Sequence, residues 1–509
     1  MCSMDTRTGI GKRHDAPWAK DIFFVFACIG AAAGLGSIWR FPYMAFENGG
    51  AGFLVNYAVA MVVVGIPLVL LEIGLGVWVR GSIAGATHRL GQTWTWVGWW
   101  ALLNSFVIVF YYAVVVGWCV QYFLYAFTQS WQPDPKAFLF GQVLKLSASP
   151  YDVGGFNLFG GLCLLAVWVS IFVIVRSGTK GVARVLMVTV PLPLVFLVIL
   201  AWRGLSLPGG WEGVQALIDP GNSNLSDVTP AKAWGAAASQ VILAMSLGMG
   251  QMVAYASKKK DGGGLVRMGF FICAGVAIFS LLAGIAVFST AGYLAQLSGV
   301  GLKDLAINSL PLAFITYPAA ISTLPFAPVW GVTFFLLLIL ISIDSAFAVI
   351  EANLAGVQDL GIANARGKVA MLLCVAGFLG GLPFLTGAGL YWLDIVDHWV
   401  AQYSIVAIVF LECVIFALFS RGALSEILGV RRPWLVVVAR IHIGIVIPVL
   451  MLYSISGSLI DDLLSPYSGY PSAAIAIGGW GVAVATALLG VAFGRAHNRR
   501  MARAGSPMS

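Results

Sequence analysis

Charge is scarce. Only 10% of the 509 residues are Asp, Glu, Lys or Arg, against roughly 25% in soluble domains. That shortage excludes a soluble enzyme, a disordered scaffold and a nucleic-acid-binding domain. Histidine is scarcer still. The five, His14, His88, His398, His442 and His497, are scattered and lie mostly at the ends of apolar segments. The seven cysteines include no CxxC pair, and all but Cys2 fall in apolar segments, where they read as small buried residues. No phosphate-binding loop, metal-ligand cluster or nucleophile–base motif is present, so the chain does not read as an enzyme. The apolar stretches are continuous, not alternating, which argues against a porin-type barrel.

What is present is apolar length. Hydrophobic residues make up 60% of the chain, and the mean hydropathy is +0.92. A helix needs about 20 apolar residues to cross a bilayer core of about 30 Å, and only helices satisfy their own backbone hydrogen bonds there. The pattern predicts spans near 22–46, 53–79, 95–127, 157–175, 183–203, 232–256, 267–295, 329–357, 369–388, 390–419, 434–455 and 473–494. Twelve spans put both termini on one side. That side receives 23 of the 29 Lys and Arg, the other side five, and Arg40 lies within a span. Basic residues favour the cytoplasmic side. Both termini are therefore expected in the cytoplasm, with the chain a multi-pass protein of the plasma (cell inner) membrane. The net charge of +8 then reflects topology, and no nucleic-acid partner is expected. Lys258, Lys259 and Lys260 are expected to flank lipid headgroups. The longest outer loops, 128–156, 204–231 and 296–328, are too short for a separate domain.

Function should sit where apolar patterning fails. The first failure is Gly30-Ala31-Ala32-Ala33-Gly34-Leu35-Gly36-Ser37, followed by Ile38-Trp39-Arg40-Phe41-Pro42. Each glycine weakens a helix by roughly 1 kcal/mol relative to alanine. Close packing through small residues would account for the glycines but not for Arg40. An unwound stretch facing a binding cavity accounts for both. The second failure is Ser246-Leu247-Gly248-Met249-Gly250 in the sixth span. Interruptions in matching spans of two halves point to a transporter site, and imply that spans 1–5 and 6–10 are inverted repeats. The third failure is a set of carboxylates in apolar surroundings: Glu72, Asp344, Glu351, Asp397 and Glu412. Such groups cost about 2.5–3.5 kcal/mol at the bilayer centre and so should be paired, ion-bound or protonated. Asp344 and Ser345 place oxygens on one helical turn, as hard cations require. Glu72 and Glu412 read mainly as structural, bonded to unwound backbone.

These residues resemble the neurotransmitter:sodium symporter family. The similarity is strongest over 17–80, from Trp18 through the glycine-rich break to Arg40-Phe41-Pro42, Glu47-Asn48-Gly49-Gly50-Ala51, Tyr57, Gly65-Ile66-Pro67 and Glu72. It continues at Tyr111-Tyr112, Trp118, Gln240 through Gly250 to Tyr255-Ala256-Ser257, then Ala313 through Pro318, Asp344-Ser345 and Asp397. The resemblance implies an all-α integral membrane protein with a LeuT-like 5+5 inverted repeat and unwound helices 1 and 6. Its parts would be a cytoplasmic N-terminal segment (1–21), the first repeat (22–203), an outer loop (204–231), the second repeat (232–419), peripheral spans 11 and 12 (420–494) and a basic tail (495–509).

The same resemblance implies a sodium site formed by Gly30, Ala33, Ile341, Asp344 and Ser345. It implies a solute pocket lined by Ala32, Gly34, Gly36, Ile108, Tyr112, Leu243, Ser246, Met249, Ser345 and Val349. Gly34 stands where monoamine carriers have aspartate, which disfavours a biogenic amine. Arg40 and Asp397 resemble the outer gate. Trp18 and Asp359 resemble the inner latch, with Lys12 or Arg13 as basic partner, since the usual arginine position holds Asp15. The family's other sodium site is degenerate here. Its positions are Ser37, Ala244 and Val276, so one sodium is expected. Chloride-site equivalents survive only as Tyr57, Gln240 and Ser280, so chloride dependence is not expected. The implied function is a sodium symporter importing a small carboxylate-bearing solute, most simply an amino acid or related organic anion, as a monomer or weak dimer. A proton-coupled or uncoupled carrier, or a non-transporting sensor, stands as the alternative.

Overall fold

The computed structural model describes residues 17–219, 230–260, 262–302, 312–361, 366–420, 422–429 and 432–503. The described residues are helical, apart from turns and one isolated antiparallel bridge between Phe156 and Thr386. Ten helices are long and apolar enough to cross a membrane: Ala51–Val79, Gln92–Ala126, Leu158–Arg176, Gly178–Leu205, Leu265–Ser298, Ala327–Asp359, Arg366–Leu385, Gly389–Phe419, Pro433–Gly469 and Ser472–Arg503. A further pair, Asp21–Ala32 and Gly36–Glu47, is bent by 71° across a short break. Ala327–Asp359 is the most enclosed of the ten, with 72% of its apolar stretch buried, and Pro433–Gly469 the least, at 22%. The first therefore runs through the core and the second along its rim.

Both expected interruptions are present. The first helix leaves α geometry at Ala33, with φ −75° and ψ 64°, and resumes as a wide π-type turn over Gly36–Arg40. Pro42 then sits near the start of Phe41–Glu47, where its missing N–H costs no hydrogen bond. The second interruption separates Pro230–Ala244 from Gln251–Ala256. Ser246, Gly248 and Gly250 have φ of 51°, 72° and 74°, a left-handed region that glycine enters without steric cost.

Two differences from the sequence pattern have local causes. The helix expected over 434–455 continues to Leu464. Its serines bond their own helix: Ser454 Oγ donates to Leu450 O at 2.7 Å and Ser456 Oγ to Tyr453 O at 2.7 Å. The loop expected over 204–231 contains a helix, Gly210–Ile218. It packs so closely on Leu265–Ser298 that a Cβ on Gly213 would strike the Phe288 carbonyl and lie 2.9 Å from Gly292 Cα.

A short helix, Ile83–Leu90, follows the Ala51–Val79 span and is capped by Ser82, whose hydroxyl accepts from Gly85 N at 3.2 Å. Its far end is tied to the last helix, because His88 Nδ1 and the Thr95 hydroxyl both lie 2.8 Å from Asn498 Oδ1. Burial holds the His88 imidazole below its ordinary pKa, which favours its neutral form.

Gly76 tests the packing of the second break. A Cβ there would meet the Val253 carbonyl, lie 2.7 Å from Ala256 Cβ and 3.0 Å from Ser257 N. Gly76→Val should destabilise the protein by about 1–3 kcal/mol through overpacking, lowering the thermal-unfolding midpoint in detergent. Gly36→Ala, whose added Cβ meets nothing within 4 Å, should leave the midpoint near wild type.

Candidate ion and solute site

The two breaks meet, and side chains satisfy the backbone groups they free. Ser246 Oγ donates to Ala31 O at 3.1 Å. Glu72 Oε1 accepts from Gly248 N at 2.7 Å. Gln240 Nε2 donates to Gly36 O at 3.0 Å. The Tyr112 hydroxyl accepts from Leu35 N at 3.3 Å, and Ser345 Oγ donates to Gly30 O at 3.2 Å. A buried backbone group left without such a partner costs about 1–3 kcal/mol. A Cβ on Gly34 would lie 2.7 Å from both Ser345 Oγ and the Tyr112 hydroxyl, so a side chain there requires one or both to move.

The residues expected to line a solute pocket fall into two groups. Ala32, Gly34, Ser246, Met249, Ser345 and Val349 are buried, whereas Gly36, Ile108, Tyr112 and Leu243 are half-buried. Gly36 faces open space. The second group is thus the more accessible of the two.

Asp344 is 1% exposed, and neither carboxylate oxygen has a hydrogen-bond partner at ordinary distance. The Thr189 hydroxyl, on the helix alongside, is close by. A Cβ on Gly30 would sit 2.9 Å from Asp344 Oδ2, 3.0 Å from Leu186 Cδ2 and 3.1 Å from Val190 Cγ2. The carboxylate thus faces the Gly30 backbone, with Leu186 and Val190 closing one side. Burying an uncompensated carboxylate costs several kcal/mol. The oxygens of Gly30, Ala33, Ile341, Asp344 and Ser345 are the donor type a hard cation takes. Among the described residues no group of three or more His, Cys, Asp or Glu could hold a metal ion, so a transition-metal site is not what this arrangement resembles.

The positions expected to form a degenerate second ion site offer little side-chain oxygen. Ser37 is fully buried and its hydroxyl is unpartnered, while Ala244 and Val276 are buried and supply no side-chain oxygen. The Tyr57 hydroxyl reaches Ser280 Oγ only at 3.5 Å, and Gln240 is turned to Gly36. Glu412 Oε1 and Glu72 Oε2 are unpartnered. Only Glu72 bonds the unwound backbone.

At one end of the bundle, Arg40 and Asp397 are not joined as an ion pair. Arg40 Nη2 donates to Ser239 Oγ at 3.3 Å, and its Nη1 has no partner. Asp397 Oδ1 accepts from the Tyr111 hydroxyl at 2.7 Å. The opposite end is densely bonded. Trp18 is 3% exposed, donates from Nε1 to Tyr255 O at 2.9 Å and packs edge-on against the Tyr255 ring. Asp359 Oδ2 accepts from Ser82 N at 2.8 Å and Ser82 Oγ at 2.6 Å. Trp18 and Asp359 are thus anchored to different partners. Lys12, Arg13 and Asp15 lie outside the described residues.

The lipid-headgroup expectation is corrected for Lys258 and Lys259, whereas Lys260 is exposed. Lys258 and Lys259 are 9% and 1% exposed, not spread over a membrane surface. Lys258 Nζ pairs with Glu351 Oε2 at 2.5 Å, and Lys259 Nζ with Asp21 Oδ1 at 3.1 Å. Arg366 pairs with the other Glu351 oxygen and donates to Val175 O at 2.9 Å. Arg80 donates to the Lys259 and Lys260 carbonyls. Glu351, an acid within an apolar helix, signalled in the sequence that a cation must reach it. Nothing local identified Lys258 and Arg366, which lie 93 and 15 residues away.

Comparison with known proteins gives the family. The model of the sodium:neurotransmitter symporter family matches residues 15–134 and 132–497. An uncharacterized sodium-dependent transporter of Methanocaldococcus jannaschii is 35% identical over 483 residues, covering 91% of this chain and 94% of that protein. The sodium- and chloride-dependent GABA transporter ine of Drosophila melanogaster is 29% identical, over 83% of this chain and 48% of its own length. The sodium- and chloride-dependent GABA transporter 2 of Macaca fascicularis is 28% identical, over 82% of this chain and 72% of its own length.

The Lys258–Glu351–Arg366 cluster gives a stability test. Glu351→Ala strands buried cations and should cost about 3–5 kcal/mol, read as a lowered unfolding midpoint and reduced yield. Combining it with Lys258→Met and Arg366→Met should recover much of that loss, because apolar replacement of a whole buried ionic cluster is near neutral.

Proposed function

We propose a specific transport cycle for a chain that belongs to the sodium:neurotransmitter symporter family and is a sodium-dependent, multi-pass membrane transporter rather than an enzyme. It couples one sodium ion to inward movement of one small carboxylate-bearing solute, an amino acid or related organic anion. The observation that carries this reading is the buried Asp344 carboxylate, unpartnered and facing Gly30. Bound sodium is cargo here. It neutralises Asp344 and draws the first broken helix toward Ala327–Asp359.

The solute carboxylate is held at the first break, by freed amides and the Tyr112 hydroxyl. The second half-helix begins there, and a helix N-terminus favours an anion. Ile108, Leu243, Met249 and Val349 offer its remainder an apolar wall. Pro230–Ala244 and Gln251–Ala256 form the two halves of a sixth span. This completes twelve spans, with inverted repeats at 22–203 and 232–419. The end with Arg40 and Asp397 faces outward, and the end with Trp18 and Asp359 faces the cytoplasm. With Arg40 and Asp397 apart and Trp18 seated, the arrangement fits a state open outward and closed inward. Solute binding lets Arg40 meet Asp397, and release of the latch then opens the inner side.

Glu72 and Glu412 support a second reading. Each keeps an unpartnered oxygen, and a proton there would replace sodium as the coupling ion. The test uses the full-length protein in proteoliposomes with tritiated L-amino acids, alone and mixed. An inward sodium gradient should drive accumulation, and replacing chloride with gluconate should not change it. Asp344→Ala should lose at least tenfold of the uptake and any sodium-induced thermal stabilisation. Equal uptake in choline medium, or full activity in Asp344→Ala, refutes sodium coupling at this site. Uptake driven by a pH gradient alone establishes the second reading.

A further inference from the structure

Two carboxylates share the end of the helix that faces Arg40. Asp394 and Asp397 lie three residues apart near the close of Gly389–Asp397, so they occupy one face of one turn. Both could attract the same guanidinium. Their surroundings differ. Each oxygen of Asp394 accepts one tyrosine hydroxyl: Tyr467 donates to Oδ1 at 3.2 Å, and Tyr470 donates to Oδ2 at 2.8 Å. Asp397 has one hydroxyl partner, Tyr111.

The two tyrosines sit on the short connection between the helix that ends at Leu464 and the Ser472–Arg503 helix. That connection is itself anchored. The Tyr467 ring stacks on His398 with centroids 3.7 Å apart. His398 Nε2 lies 2.6 Å from Asp462 Oδ2, which also accepts from the Tyr403 hydroxyl. Gly478 and Gly479 bring the last helix against the Trp392 and Trp399 rings, where an added Cβ would lie 2.8 and 2.6 Å away. On the other side, Trp392 Nε1 donates to Pro150 O at 2.9 Å and the Tyr391 hydroxyl to Ser147 O at 2.7 Å.

We infer that Tyr467 and Tyr470 are positioning residues of the outer gate: by bonding both oxygens of Asp394 they hold that acid to the connection, and Asp397, with a single hydroxyl partner, is the carboxylate of that turn that takes Arg40. Residues on the connection between the last two helices thereby set which acid closes the gate, and the His398–Asp462 contact holds that connection in register. This rests on the proposed pairing of Arg40 with Asp397. Without the two hydroxyls, Asp394 competes for the guanidinium, and the gate closes one turn out of place or not at all.

The test measures sodium-driven uptake of the tritiated L-amino-acid mixture by the full-length protein. Tyr467→Phe/Tyr470→Phe keeps both rings and should lower uptake about tenfold, the effect of losing a hydrogen bond to a charged acceptor. Adding Asp394→Asn removes the competing charge and should restore uptake to within about twofold, an outcome no merely structural role for the tyrosines produces. Full activity of the double variant, or no recovery with Asp394→Asn, overturns the inference. Arg40→Ala, measured alongside, separates the two claims: undiminished uptake there refutes the gate pairing itself. Amide hydrogen exchange over residues 389–404 reads the clamp without any solute. Exchange should quicken about tenfold in the double variant, and unchanged protection also overturns the inference.

Discussion

In an apolar interior a backbone N–H or C=O must be bonded, and each helix break frees several at once. That constraint organises this protein. Two helices are interrupted near the centre, and the groups they release are met by Ser246, Glu72, Gln240, Tyr112 and Ser345. These polar residues come from four separate stretches of chain. An exposed loop could have left its amides to water; a break in this setting needs side chains at fixed positions. The same constraint explains why glycine recurs at the breaks. A side chain at Gly34 would displace Tyr112 or Ser345, and Gly248 and Gly250 adopt positive φ.

Charge obeys a related rule with a different result at each site. Glu351 is as deeply buried as Asp344, yet it is paired with Lys258 and Arg366. Asp344 has no comparable protein partner. One acid is complete within the folded chain and the other is not. Buried ionic clusters that are complete contribute modestly to stability and strongly resist removal of one member. An incomplete one makes the fold depend on whatever cation arrives. On the proposed cycle, that dependence couples sodium to the position of the first helix.

The sequence carried the fold class and the two breaks, because length, hydropathy and misplaced glycines are local signals. It marked Asp344, Arg40 and Glu351 through the cost of charge in apolar segments. It did not reveal how such charges are resolved. Lys258–Lys260 looked like surface basic residues, yet the first two are buried, since a lysine run reads alike whether its partner is lipid phosphate or a distant glutamate. The span expected over 434–455 runs on to Leu464, where serine hydroxyls bond the preceding turn and remain in the helix. Tyr467 and Tyr470 carried no signal of their own. Their role depends on Asp394, which is more than 70 residues earlier and reached only through the packing of the last two helices.

The two ends of the bundle differ in how much of their closure the chain supplies. At the Trp18 end the contacts are internal: an indole on a carbonyl, a carboxylate on Ser82, lysines on acids. At the Arg40 end the guanidinium has an unpartnered nitrogen and the carboxylate rests on a tyrosine. A carrier needs this inequality. If both ends closed equally well without cargo, the protein would trap an empty cavity as readily as a filled one. If the Trp18 end were the weaker, an ion could leak through before the solute arrived. In the proposed cycle, closure at the Arg40 end waits on ligands that draw the broken helix inward. The Trp18 end is already bonded and must be released afterwards. Coupling then follows from the order in which the two sets of contacts form and break, with no need for a rigid connection between them.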